Sequence, residues 1–265
     1  MARSWRAWAL GLAAGALALH TALPAIARHY VFPAHRVPAV RAPDDVTTHA
    51  LVAKDGVAVH AIEIPAPANA PTVVYFHNNR QTVEACVGLA RAIRERGLGV
   101  LLVEYRGYGA SSASATPSEE GLYRDAEAAL DMLAARGTRS DRVVLWGTSL
   151  GTGVAAEMAR RGRGAALVLV TPYTSIPDLV TNAAPIVPAR ALLPDHFDTL
   201  GKASEIRVPT VVVHGDADEV VPFWMGERVS RAIAGSRWVP VAGARHHDVL
   251  DRERAAQIAD LVRGG

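Results

Sequence analysis

From residue 72 onward the chain repeats one pattern, a short continuous apolar run followed by a longer stretch with helical spacing. The runs are Thr72 to Phe76, Val100 to Val103, Arg142 to Trp146, Ala165 to Val170, Thr210 to Val213 and Arg237 to Val241. Runs this short that do not alternate with polar residues fit strands covered on both faces. Helical stretches between such strands supply the crossovers that parallel pairing needs, so the pattern predicts a mostly parallel sheet with helices on both sides. Upstream, Thr48 to Val52 and Val57 to Ile64 flank Asp55-Gly56 and read as a hairpin. The expectation is therefore an α/β fold, a mostly parallel eight-stranded sheet with an antiparallel start.

The length of 265 residues, half of them hydrophobic, suits one such domain and is too short for two ordinary ones. Its expected extent is 46–265. The clearest helix follows Thr116, which is expected to cap it, with Pro117 in the first position and Glu119 as the capping-box acid. Leu122, Ala126, Ala129, Leu130 and Leu133 then share one face. The rhythm breaks at 172–204, where Pro172, Pro177, Pro185, Pro188 and Pro194 point to a small cap insertion of loops and short helices.

The N-terminus is different in kind. Arg3 and Arg6 precede an apolar run from Ala7 to Leu19, then Leu23-Pro24 and Ala25-Ile26-Ala27 before Arg28. A basic start, an apolar stretch and a small-residue exit describe a signal peptide over 1–27, and read through to Ala27 the same run approaches the length of a membrane anchor. Export is the expectation, to a membrane-anchored or a periplasmic or extracellular location, with membrane association through this segment if it is retained. Residues 28–45, rich in proline, read as an extended connector.

A net charge of +2 with no basic stripe argues against a nucleic-acid partner, and no Cys/His cluster suggests a metal. The single cysteine, Cys86, falls on a helical stripe with Val83, Val87, Ala90 and Ile93 and reads as a small buried hydrophobe.

Chemistry is carried by Gly147-Thr148-Ser149-Leu150-Gly151, placed between a predicted strand and a helix-compatible stretch. A turn that sharp crowds its neighbours, glycine on both flanks relieves the crowding, and the serine hydroxyl stands free of the sheet. A nucleophilic serine needs a base, and the base an orienting acid. After the strand ending at Val213 stand Asp216 and Asp218; after the next stand His246 and His247. Residue order and loop placement suit a Ser-Asp-His arrangement with either aspartate and either histidine. The backbone amide of Leu150 and that of Asn79, in the loop His77-Asn78-Asn79-Arg80, are the candidate oxyanion donors.

These features, with Tyr105-Arg106-Gly107-Tyr108-Gly109-Ala110-Ser111, the Pro117-to-Ala126 stretch, Thr171-Pro172-Tyr173-Thr174-Ser175, His214 to Pro222 and Gly243 to Asp248, resemble the membrane-anchored or exported α/β-hydrolase-domain proteins, neighbours of the prolyl-oligopeptidase-like peptidases. The resemblance spans roughly Phe32 to the C-terminus. It implies an α/β-hydrolase fold and a serine hydrolase acting on esters or thioesters, with no cofactor and a small-molecule or acylated substrate. By the same resemblance Ser149 is the nucleophile, Asp218 the acid and His246 the base, leaving Asp216 and His247 to turn or surface roles. A peptidase using the same triad and a non-catalytic binding protein on the same scaffold are the rival readings.

In two places the chain departs from the family pattern. His-Gly-Asn-Ala is usual where this chain has His77-Asn78-Asn79-Arg80, and asparagine is among the least costly substitutes for glycine where φ is positive. Arg80 then either contacts an anionic substrate group or points to solvent; it and Tyr173 are the candidate substrate-binding residues. Glu104 stands where relatives often carry aspartate before the tyrosine.

Overall fold

The structure, a computed structural model, describes residues 28–34, 41–67, 69–111 and 115–263. The leader expected over 1–27 lies outside them.

Eight strands form one sheet: β1 (Thr47–Val52), β2 (Ala58–Ile64), β3 (Thr72–Phe76), β4 (Gly99–Val103), β5 (Val143–Thr148), β6 (Ala166–Val170), β7 (Thr210–Gly215) and β8 (Arg237–Val241), in the order β1-β2-β4-β3-β5-β6-β7-β8. β1 and β2 pair antiparallel, β2 pairs antiparallel with β4, and every later pairing is parallel. The two-residue period of the strands divides the core into two layers. Val74, Phe76, Leu101, Val103, Leu145 and Leu169 face one, and Val73, Tyr75, Val100, Leu102, Trp146 and Val170 the other. Helices α1 (Val87–Glu95) and α8 (Arg252–Arg263) cover the second face, with Ile93 and Ile258 buried there. Helices α2 (Glu119–Ala135) and α3 (Leu150–Arg160) cover the first through Leu130 and Val154. The mostly parallel eight-stranded sheet expected from the apolar runs is present, in the α/β-hydrolase architecture that the resemblance implies. Cys86 is buried in the second layer, as its helical spacing indicates.

Two strands run beyond their apolar runs. β5 continues through Gly147 and Thr148, paired with Leu169 and Val170, and β7 continues through His214 and Gly215, paired with Pro240 and Val241. Ladder hydrogen bonds are indifferent to side-chain polarity, so the strands carry the motif residues to the C-terminal edge of the sheet.

The start of α2 corrects the capping expectation. Ser118, not Thr116, is the N-cap, extended at φ −154° and ψ 162°, with its Oγ accepting from the Gly121 N–H. Glu119 serves the insertion instead. One carboxylate oxygen accepts from the His196 and Phe197 amides at 2.6 and 2.9 Å, and the other from the Tyr123 hydroxyl at 2.6 Å. Those contacts hold Phe197 at φ 42° with its ring fully buried. Glu119→Ala leaves both amides without an acceptor, and a loss of about 1–3 kcal/mol is expected. Thermal unfolding checks the loss, and limited proteolysis should show cleavage moving into 184–198.

The insertion contains α4 (Ile176–Ala183) and two single turns, α5 (Ala189–Leu192) and α6 (Thr199–Lys202). Helix α7 (Phe223–Ala232) follows β7 and packs on the same face as α3. The described part of the connector is not an extended tether. Residues 28–31 form a helical turn, Phe32 is buried edge-on to Phe197 at 6.1 Å, and Arg28 Nε lies 2.7 Å from Asp195. Phe32 finds its apolar partner 165 residues away, which no local pattern announces.

Candidate active site

Ser149 sits between β5 and α3 with φ 51° and ψ −115°. A non-glycine residue in that region costs about 1–3 kcal/mol and persists only where its surroundings hold it. They do so here through the Ser149 amide, which donates to Val170 at 2.9 Å, and through the Ser149 carbonyl, which accepts from the Thr152 amide and hydroxyl at 2.9 and 2.6 Å. The flanking glycines are sterically required. A Cβ on Gly147 would run into the Gly151 carbonyl, and one on Gly151 into the Phe76 carbonyl.

His246 Nε2 lies 3.1 Å from Ser149 Oγ, and its Nδ1 lies 2.8 Å from Asp218 Oδ2. An ionised carboxylate only accepts, so Nδ1 carries the proton and Nε2 presents its lone pair to the serine hydroxyl. The Asp218 side chain is fully buried. Burial raises its pKa, but the hydrogen bonds from His214 and His246, with that from the Val221 amide, outweigh it and hold the carboxyl well below the usual carboxylate range. Its Oδ1 accepts from the Val220 and Val221 amides, each at 2.8 Å. Asp216 and His247 are exposed; Asp216 accepts from the Gly243 amide at 2.7 Å, a turn role.

His214 is a contributor that the sequence reading did not single out. It is fully buried, its Nε2 lies 3.0 Å from the Val221 carbonyl and 3.3 Å from Asp218 Oδ2, and Gly226 leaves room for its ring. The sequence signal was its place four residues before Asp218, one turn of loop away.

Leu150 opens α3, so its amide has no intrahelical acceptor. Neither that amide nor the Asn79 amide donates to an acceptor among the described residues. Both residues line the cavity that holds Ser149. Asn78 and Asn79 both have negative φ, so the glycine of the usual pattern is not needed for backbone freedom here. The loop is instead tied down by side chains: the Tyr105 and Tyr108 hydroxyls donate to the His77 and Asn79 carbonyls at 2.9 and 3.3 Å. Glu104 lies 2.7 Å from His77 Nε2 at the loop's start, out of line with the ring N–H, and accepts from the Val83 amide beyond its end at 3.2 Å. Arg106, in the same motif, pairs with Asp125 of α2 at 2.8 Å and with Asp55 of the β1–β2 turn at 2.7 Å. The motif is structural, shaping the loop beside the serine.

The cavity has a volume of about 340 Å³. Its apolar wall comes from Val31 of the connector, Ile176, Leu179 and Val180 of α4, and Val220 and Val221 of the acid loop. Tyr173 borders it but is almost fully buried, with its hydroxyl donating to the Leu150 carbonyl at 3.2 Å, so it braces the serine turn. Arg80 is exposed on the rim, and its guanidinium has no ion-pair partner among the described residues. Arg80→Ala is expected to weaken several-fold the binding of acidic ligands to this cavity and to leave neutral ones unaffected, read from paired binding titrations.

A family profile described as serine aminopeptidase S33 matches residues 67–200, half of the chain. The chain belongs to this α/β-hydrolase family. The match takes in Ser149 and ends before Asp218 and His246. Relatives include an uncharacterized protein of Mycobacterium tuberculosis, 36% identical over 180 residues that cover 67% of this chain and 63% of the relative. Human α/β hydrolase domain-containing protein 17B is 33% identical over 192 residues, covering 67% of this chain and 61% of the relative. The chain thus spans under two thirds of the length of these curated relatives. Among solved structures, the esterase Pf2001 of Pyrococcus furiosus superposes with a TM-score of 0.71 at 16% identity, covering 86% of this chain and 97% of that one. Est1E of Butyrivibrio proteoclasticus, solved with ferulic acid bound, gives 0.68 at 18% identity, covering 81% and 97%. At these identities the likeness is one of fold.

Proposed function

We propose that this α/β hydrolase is a serine hydrolase that cleaves carboxylic ester or thioester bonds through an acyl-enzyme on Ser149. The observation that carries the reading is the chain of contacts from Ser149 Oγ to His246 Nε2 at 3.1 Å and from His246 Nδ1 to Asp218 Oδ2 at 2.8 Å. In this reading Ser149 Oγ attacks the acyl carbonyl while His246 Nε2 takes its proton, and the Leu150 and Asn79 amides receive the oxyanion. The C–O or C–S bond breaks as His246 returns the proton to the leaving atom. Water, deprotonated by the same nitrogen, then releases the acid and restores Ser149.

The family description raises a second reading, an aminopeptidase with the same triad. Such an enzyme has to hold a substrate α-ammonium group, and the described residues lining the cavity include no aspartate or glutamate. The apolar wall supports an acyl group there instead. Kinetics on p-nitrophenyl esters of rising chain length, beside alanine p-nitroanilide, test the choice. Turnover of the esters that vanishes in His246→Ala is expected. Anilide turnover with inert esters would move the peptidase to the front, and a folded protein inert to both would favour a non-catalytic binding protein.

Export through the 1–27 segment, with anchoring or cleavage, is part of the same proposal and rests on the sequence. No helix among the described residues is long and apolar enough to cross a membrane. Fractionation and N-terminal sequencing of the mature protein test it, and a full-length cytoplasmic product would contradict it.

A further inference from the structure

A second cavity, of about 300 Å³, lies on the other side of His246. It shares Asn78, His246 and His247 with the first but is not lined by Ser149. Its remaining wall runs from the loop and helix after β3, through Gln81, Cys86 and Gly88, to the floor at Tyr75 and Thr148. Taking Ser149 as the nucleophile and His246 as its base, the two cavities divide the substrate. The acyl carbon has to sit by Ser149, and the leaving oxygen beside the imidazole that protonates it. We infer that the second cavity is the leaving-group subsite, and that it takes a neutral polyhydroxy alcohol of monosaccharide size or smaller.

The chemistry of the wall selects that class. Its charged residues are each paired within the protein: Asp251 lies 3.4 Å from the Arg254 guanidinium and accepts from the Arg254 amide at 2.7 Å, and Arg252 lies 3.5 Å from Glu95. Beside the apolar Leu89, Val170 and Leu250, what remains is hydrogen-bonding capacity without charge. The Gln81 amide nitrogen has no acceptor among the described residues, while its Oε1 accepts from Asn78 Nδ2 at 2.8 Å. The Thr148 hydroxyl accepts from Tyr75 at 3.0 Å and keeps its own proton to donate. A purely apolar alcohol would leave these donors unpaired, and a charged one would find no unpaired counter-charge; a set of hydroxyl groups on a carbon frame satisfies both the donors and the apolar residues. The contrast with the apolar wall of the first cavity gives the substrate a direction, with the apolar acyl group on the α4 side and the polar alcohol on the α1 side.

Gly88 provides the means of testing this. It stands in the first turn of α1, lines the second cavity, and a Cβ placed on it meets nothing within 4 Å. Gly88→Leu fills the space from a helical position where glycine is the poorer helix former. The experiment compares kcat/KM for 6-O-butyrylglucose with that for ethyl butyrate, the same acyl group on a large polar and a small leaving group. The ratio of the two cancels any loss common to both. It is expected to fall about tenfold or more in Gly88→Leu, the range that loss of pocket contacts gives. Gln81→Leu keeps the volume and removes the donor, and it should lower the ratio too, which covers the case of a Gly88 variant that fails to fold. A ratio unchanged in both variants, or a wild type that turns over ethyl butyrate and not the sugar ester, would overturn the subsite. If wild type turns over neither ester, the ester-hydrolase reading fails with it, and that failure is recognisable in the wild type alone.

Discussion

Asp218→Asn is expected to lower kcat by about 10⁴-fold, the cost of the wrong imidazole tautomer in a Ser-His-Asp triad. Asp216→Asn is expected to leave kcat essentially unchanged. The two residues stand two positions apart on one loop, yet their surroundings differ completely. The Asp218 side chain is fully buried and accepts from two backbone amides and from His246, whereas Asp216 is exposed and, among the described residues, accepts only from the Gly243 amide. An asparagine at 218 presents either a carbonyl, which carries no negative charge to balance the imidazolium, or an amide, which donates toward Nδ1. The amide orientation would move the ring proton to Nε2 and remove the base from Ser149. Steady-state kinetics on one p-nitrophenyl ester, with thermal midpoints to exclude unfolding, separates the outcomes. Equal losses at both positions would undo the assignment.

Gly151→Val should remove folded protein rather than slow it. Its Cβ would occupy the space of the Phe76 carbonyl, a backbone atom of a central strand that has nowhere to move. A cost of about 4 kcal/mol or more is expected, at the extreme of single substitutions. Gly88→Ala, on an open helical surface, serves as the control and should be neutral or slightly stabilising. Soluble yield and thermal midpoint report both. A Gly151→Val protein that melts like wild type would mean that α3 does not press on β3 as described.

The contrast between these two glycines shows which parts of the molecule could be read from the sequence. The interior strands could, because burial on both faces leaves a continuous apolar run that needs no context. Gly147 to Gly151 was legible because a strand and a helix on either side of a serine leave few conformations. Residue order narrowed the acid to two aspartates and the base to two histidines. The choice of Asp218 and His246 came from resemblance, and their mutual distances come only from the folded loops. The N-cap was misplaced at Thr116, because Thr116 and Ser118 both have capping hydroxyls and only the path of the chain into α2 decides for Ser118. Nor could the seating of Val31 and Phe32 be read, since their neighbours are brought by the insertion. Arg106 and Asp125 were each visible within a motif, but their pairing, and the bracing of the 77–80 loop by Tyr105 and Tyr108, is tertiary.

The central claim is that Ser149 is a nucleophile activated by His246. The most direct measurement is to treat the purified protein, beginning near Arg28, with a fluorophosphonate and determine the intact mass and the modified peptide. One adduct per chain, located on Ser149 and absent from Ser149→Ala, is the predicted result. A folded wild-type protein that takes up no adduct, or carries it on another residue while Ser149 stays free, would contradict the account.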